Sequence, residues 1–279
     1  MEHNRHLSDF LSPGSPATDI IPAISADNIV TTLLQIHDTP PVFGEANIGR
    51  AAINIAANRL LAAGAMPRYV AASLFLDTDT PVGDINVVAD GLQSAAIQAE
   101  MEWTARAVSF SDNGPNYGLN MSVYAIGQAI PGLAGSKPCM QTGDTIIVTS
   151  PVGTFGTAVE SFKQGITTIE NADGTALIDS IRNLIDCVQR IHYLDLAENG
   201  FEDAYRKLTD LAPAAIDRTI IPVNPAVNAE CHLLERDPLR MPCADAMLLV
   251  VPDHDAPDAL AALRRCRPTS LATVIGHIL

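Results

Sequence analysis

Positive charge is scarce in this chain, and so is any stretch suited to a membrane. Its 279 residues hold 17 Lys and Arg against 32 Asp and Glu, a formal net charge of −15. A field of that sign opposes electrostatic capture of nucleic acid or of an anionic membrane surface, although a local basic pocket can still hold a small anion. No apolar run reaches the roughly 18 residues that a spanning helix needs. The segment from Met1 to Pro13 carries charges and histidines but no apolar signal core. A cytoplasmic protein without nucleic-acid or membrane partners is therefore expected. The five cysteines (Cys139, Cys187, Cys231, Cys243 and Cys266) are odd in number, widely spaced and never in C-x-x-C, which excludes a zinc knot and favours reduced thiols over a disulfide framework. Phosphate-loop and serine-elbow motifs are absent, and His192, His232, His254 and His277 lack the i, i+4 spacing of a helical zinc pair. They read as scattered surface or core residues, and the single tryptophan, Trp103, reads as packing.

Apolar residues, by contrast, make up 47% of the chain, enough to bury a large core across two domains of ordinary size. The most informative stretch runs from Ile48 to Pro67. It is apolar on nearly every face, yet Arg50, Asn54 and Asn58 recur four residues apart and form one polar stripe. A buried helix with such a stripe needs a ligand, a partner or internal hydrogen bonds to answer it. Gly64 suits the C-terminal cap and Pro67 stops continuation.

Elsewhere the first ~20 residues, rich in Ser, Pro, Asn and His, read as a loose arm. Strands are expected at Asn28 to Ile36 and Tyr69 to Leu76, with a helix capped by Asp84 and carrying Ile85, Val88, Leu92 and Ala96. Ala107 to Phe110 and Leu119 to Ile126 read as a hairpin about the turn Asp112 to Asn116. The segment Pro131 to Lys137 is the expected domain boundary. Beyond it come a strand from Asp144 running into a glycine turn at Gly153, and a long amphipathic helix marked by Leu177, Ile181, Leu184, Val188 and Ile191. A buried strand at Met247 to Val251, a helix capped by Asp255 and Asp258 and bearing Cys266, and a short strand at Val274 to Ile278 complete the pattern.

The Ile48 to Pro67 stretch resembles the second helix of the aminoimidazole-ribonucleotide synthetase (AIR synthase, PurM) superfamily, which also holds selenophosphate synthetase and thiamine-monophosphate kinase. The likeness is greatest to its HypE branch, through Gly49, Ala52, Asn58, Gly64, Ala65 and Pro67. Asp237-Pro238-Leu239 and Val274-Ile275-Gly276 resemble the closing segment of the same branch. The resemblance implies an α/β (α+β) protein: a flexible arm at 1–20, an AIR synthase-like N-terminal domain at 21–135 that dimerises through its sheet, and a C-terminal α+β sandwich at 140–279. It implies ATP and Mg²⁺ as cofactors, held by gathered acidic residues that offset the triphosphate charge.

Residue by residue, the acids are only partly kept. Asp27 matches an acidic strand position of the family, and it is one metal candidate. Arg59 stands where the family places a magnesium-binding acid. Asp112 is displaced by one position from the acid of a G-D-T-K motif, which in a strand turns a side chain to the other face, and it is the other candidate. Gly153-Thr154-Phe155-Gly156 keeps both glycines of a G-D-H-G turn without its Asp and His, and the D-x-T-x-G-G motif survives only as Asp195 and Gly200. In the HypE branch a cysteine at the end of a C-terminal tail carries a carboxamide that is dehydrated to a nitrile at the expense of ATP. This chain is given as ending at Leu279 without such a cysteine, so that reaction is not expected of it acting alone. The leading expectation is an accessory protein of hydrogenase or other metalloenzyme maturation, a homodimeric scaffold or binding component with a maturation-protein partner. One alternative is an ATP-dependent enzyme of ligase, dehydratase or kinase type, using Asp27, Asp112 and Asp195 as a rearranged acidic set. Another is a metal-independent binder of small anions through Arg50, Asn54, Asn58 and Arg59.

Overall fold

A computed structural model describes residues 28–111, 119–131, 133, 139–166 and 169–279. The expected arm, the metal candidates Asp27 and Asp112, the Asp112 to Asn116 turn and most of the Pro131 to Lys137 boundary lie outside the described residues.

The first half runs β1 (Ile29–Thr39), a small ladder of β2 (Val42–Phe43) and β3 (Ala46–Asn47), α1 (Ile48–Ala62), β4 (Ala65–Asp77), α2 (Val82–Gln98), β5 (Glu102–Ser111) and β6 (Leu119–Ala129). The Asn47 side chain starts α1 by accepting the Arg50 N–H at 2.8 Å. Gly64, at φ 80°, ends it and returns its N–H to Leu61. Pro67 lies within β4 and not in a loop, at a register shift against β6 where its missing N–H is tolerated.

These strands form one sheet in the order β1-β6-β4-β5, with β4 and β5 parallel across the α2 crossover and the other pairs antiparallel. The expected β5–β6 hairpin is therefore corrected. The two strands are consecutive in the chain, but β4 lies between them and pairs with both. Burial alternates as the sequence suggests: Leu119, Met121, Val123 and Ala125 of β6 join Val70, Leu74 and Leu76 of β4 under α1 and α2. The outer face keeps large apolar groups in solvent, with Leu33 opposite Tyr124 and Phe75 nearby, 53%, 44% and 48% exposed.

The second half comprises β7 (Thr145–Val148), α3 (Thr154–Lys163), α4 (Ile178–Cys187), β8 (Tyr193–Leu196), α5 (Phe201–Leu211), β9 (Ala214–Ile216), α6 (Pro225–Leu233), β10 (Met247–Val251), α7 (Ala256–Arg264) and β11 (Thr273–Ile278). Its antiparallel sheet has the order β8-β10-β7-β11-β9. All five residues of β10 are buried because both faces are covered. Met247, Leu249 and Val251 share a core with α4 and α7, whereas Leu248 and Val250 meet Phe201, Ala204 and Leu208 of α5. The α4 side is continuous with the core of the first half, and α1 forms the bridge.

Three local expectations are corrected. The helix predicted from Leu177 to Ile191 ends at Cys187; Val188 turns extended, and Val188 and Ile191 are buried beyond it. Neither Asp84 nor Asp255 caps by its side chain. Asp84 sits in the first turn of α2 after Pro81, and Asp255 accepts the Gln189 N–H instead. Cys266 falls just past the end of α7. All five cysteines are free. Among the described residues, no helix is long and apolar enough to cross a membrane.

Candidate functional site

The polar stripe of α1 faces the second half of the chain. Arg50 pairs with Asp173 at 3.1 Å, and Asn54, 2% exposed, donates to the carbonyls of Asp173 and Gly174 at 3.2 and 2.9 Å. Asn58, fully buried, donates to the carbonyls of Thr175 and Ala244 at 2.9 and 2.8 Å and accepts the Leu177 N–H at 2.8 Å. One carboxamide therefore serves three backbone groups from two segments of the second half. The buried carbonyls of Asp173 and Ala244, which lie outside regular structure, would otherwise lack these partners.

Arg59 turns to a different neighbour. Its guanidinium forms a two-pronged pair with Glu198, with Nε 2.6 Å from Oε2 and NH2 on Oε1, and its NH1 donates to the carbonyl of Leu33 in β1. The cation thus ties α1 to β1 and to the turn after β8. Asp195 lies on β8 beside Lys207 of α5 at 3.3 Å, and burial raises its carboxyl above the ordinary range while Lys207 pulls it down. Burial and the neighbouring Asp195 also push the Tyr193 phenol up. Among the described residues, no three His, Cys, Asp or Glu side chains stand close enough to hold a metal ion.

The three glycines quoted from the family turns meet one segment. Gly153 (φ 80°) lies against Pro238, Gly156 against Pro242 and Gly200 (φ 100°) against Arg240, so close that a Cβ would come within 2.5, 2.3 and 2.7 Å of those residues. Here the turns act as the bed on which residues 238–242 lie. Phe155, between two of these glycines, meets Phe43 edge-to-face at 5.8 Å between centroids.

Two acids at the junction escaped the sequence reading. Burial raises Asp173, and the Arg50 cation pulls it back only in part. Asp245, which accepts the Thr175 N–H at 3.0 Å, is pushed from 3.8 up to about 7 by burial and by the nearby Asp173. Asp173, Glu198 and Asp245 carried no motif of their own. Their only sequence signal was the need of Arg50 and Arg59 for counter-charges on an otherwise apolar helix.

No family model matches the chain. The carbamoyl dehydratase HypE of Rhizobium leguminosarum bv. viciae is 26% identical over 282 residues, spanning 99% of this chain and 80% of that protein. The crystal structure of E. coli HypE superposes with a TM-score of 0.86 at 20% identity, covering 99% of this chain and 90% of the other. The chain is similar to HypE proteins over nearly its whole length and shares their fold. A HypE structure in complex with ATP gives a TM-score of 0.81 at 20% identity over 97% of this chain and 88% of that one. A HypE–HypF complex gives 0.80 at 21% identity over 91% and 85%. The HypE-like architecture agrees with the expected two-domain α+β class.

Two outcomes are expected from the junction. Replacing Asn58 with Ala strands two carbonyls and one N–H and should lower unfolding stability by roughly 2–4 kcal/mol in urea titration. An Asn54→Ala variant, which strands carbonyls only, should lose less. For Asp245, a carboxyl raised in the folded state contributes stability below its ordinary value, and this is lost as pH climbs through about 7. Asp245→Asn keeps an acceptor for Thr175. It should raise the melting temperature at about pH 8 and have little effect at about pH 4, a difference that scanning calorimetry reads directly.

Proposed function

We propose that this chain is a HypE-like accessory protein of hydrogenase or other metalloenzyme maturation, working as a dimeric scaffold or binding component. The single observation that carries this reading is the Arg59–Glu198 pair. Magnesium is held by oxygen ligands, whereas position 59 offers only N–H donors, and those already engage a carboxylate and the Leu33 carbonyl. The described residues therefore do not fit a metal-bound triphosphate at this place. No step of nucleotide chemistry is derived for them. Asp195 stands apart on β8 with Lys207 as its counter-charge, an ion pair that supports packing of α5 as readily as any ligand.

The maturation setting is supported by the relatives, named carbamoyl dehydratase HypE, and by the HypE–HypF assembly among the similar structures. A protein partner of the maturation class fits a chain that keeps the scaffold with altered acids. The outer face of the β1-β6-β4-β5 sheet, with Leu33, Phe75 and Tyr124 in solvent beside small residues such as Ala71 and Ala105, suits self-association through that sheet.

Calorimetric titration is expected to show no magnesium-dependent binding of ATP. Micromolar binding that disappears when the metal is chelated overturns the reading. In sedimentation the protein should run as a dimer, and Tyr124→Glu should shift it to monomer without unfolding it. A monomeric parent protein would remove the scaffold part of the proposal.

A further inference from the structure

The second half contains a cleft of about 440 Å³ that shares no residue with the α1 junction. It opens where β7 and β8 begin and β10 ends, between the 141–144 turn, the 189–192 segment and the 252–255 turn. His192 lies in its wall and is only 6% exposed. Its Nδ1 is 2.6 Å from Oδ2 of Asp144, itself 5% exposed and also accepting the Gln141 N–H at 2.7 Å. The acceptor-only carboxylate takes the N–H of Nδ1, so that in the neutral ring the lone pair lies on Nε2. No group of the described residues takes Nε2. The backbone of His192 is held at both ends, donating to Val250 and accepting from Cys139, so the ring has a set position.

The rest of the wall is acidic. Asp253 accepts the Thr145 hydroxyl with one oxygen at 2.8 Å, which leaves the other for the cleft. Asp255, 8% exposed, accepts the Gln189 N–H at 3.3 Å with one oxygen and has Nε2 of His254, also in the wall, 3.5 Å from the other. Three carboxylates, counting Asp144, face one permanent cation, Arg190. A metal ion does not suit this set, because no three ligating side chains converge among the described residues. The acidic wall excludes an anion.

We infer that the cleft binds a small organic cation, a primary ammonium or guanidinium group, with His192 Nε2 accepting one of its N–H bonds and Asp253 and Asp255 supplying the opposing charge. An acceptor oriented by a buried carboxylate gives direction without adding to the repulsion between the two aspartates. The volume falls within the roughly 300–1,000 Å³ typical of small-molecule sites, and a multi-donor cation satisfies acceptors spread over separate walls. Such a group arrives either as a free amine or as an arginine side chain on a partner protein.

The two sources are separated by titrating the protein with agmatine and with N-acetyl-glycyl-arginyl-glycine amide while following the His192 ring nitrogens by long-range ¹⁵N–¹H NMR. Saturable movement of Nε2 is expected with at least one probe. Agmatine alone assigns the site to free amines, the peptide alone to a partner's side chain, and both to the shared group. Asp253→Asn leaves the buried His192–Asp144 pair intact and should weaken binding roughly tenfold. The inference fails if neither probe saturates by about 10 mM, if Asp253→Asn binds as tightly as the parent, or if inorganic phosphate moves the same resonance.

Discussion

The hydrogen bonds of Asn58 hold the two halves of this chain in register, and most of the architecture follows from them. A fully apolar α1 would slide and rotate against the second half at little cost, since dispersion and burial have no direction. A carboxamide that must meet Thr175, Ala244 and Leu177 at once permits one rotation and one height. Asn54 and Arg50, one and two turns earlier, repeat the constraint along the helix. With α1 placed in this way, its apolar faces join the core under the first sheet to the α4 side of the second.

Charge at position 59 is a second constraint, set by the first. Because Asn58 fixes the rotation of α1, the next residue must project toward β1 and the turn after β8, where Glu198 lies. A carboxylate in that spot would face Glu198 and need a bridging cation, whereas arginine carries its own. Arginine at this place thus supplies a structural link between β1, α1 and the β8 turn.

Legibility varied with the range of the interaction. The bounds of β10 and the end of α1 at Gly64 could be read because an unbroken apolar run and a positive-φ glycine are local. The β5–β6 hairpin that the turn signal predicts does not form, because α2 returns β5 parallel to β4 and leaves β6 to pair on the far side of β4. Helix α4 is shorter than its apolar spacing predicts because Val188 and Ile191 are apolar for a different reason, as buried coil leading into β8. In the site, the Arg50, Asn54 and Asn58 stripe was visible as spacing, yet its partners were not. Those partners, Asp173 and the backbone of Gly174, Thr175, Leu177 and Ala244, lie more than a hundred residues away and match no pattern of their own.

The sequence by itself determined that α1 is buried with one polar face, that strands and helices alternate in a HypE-like order, and that a cation follows Asn58 on that helix. Each is a property of residue type and spacing along a few turns. Only the tertiary structure decided what answers that polar face, which carboxylate pairs with Arg59, and that His192 meets Asp144 at the wall of an acidic cleft. Those outcomes depend on distance between segments far apart in the chain, and folding sets such distances by packing whole elements, which no local spacing encodes.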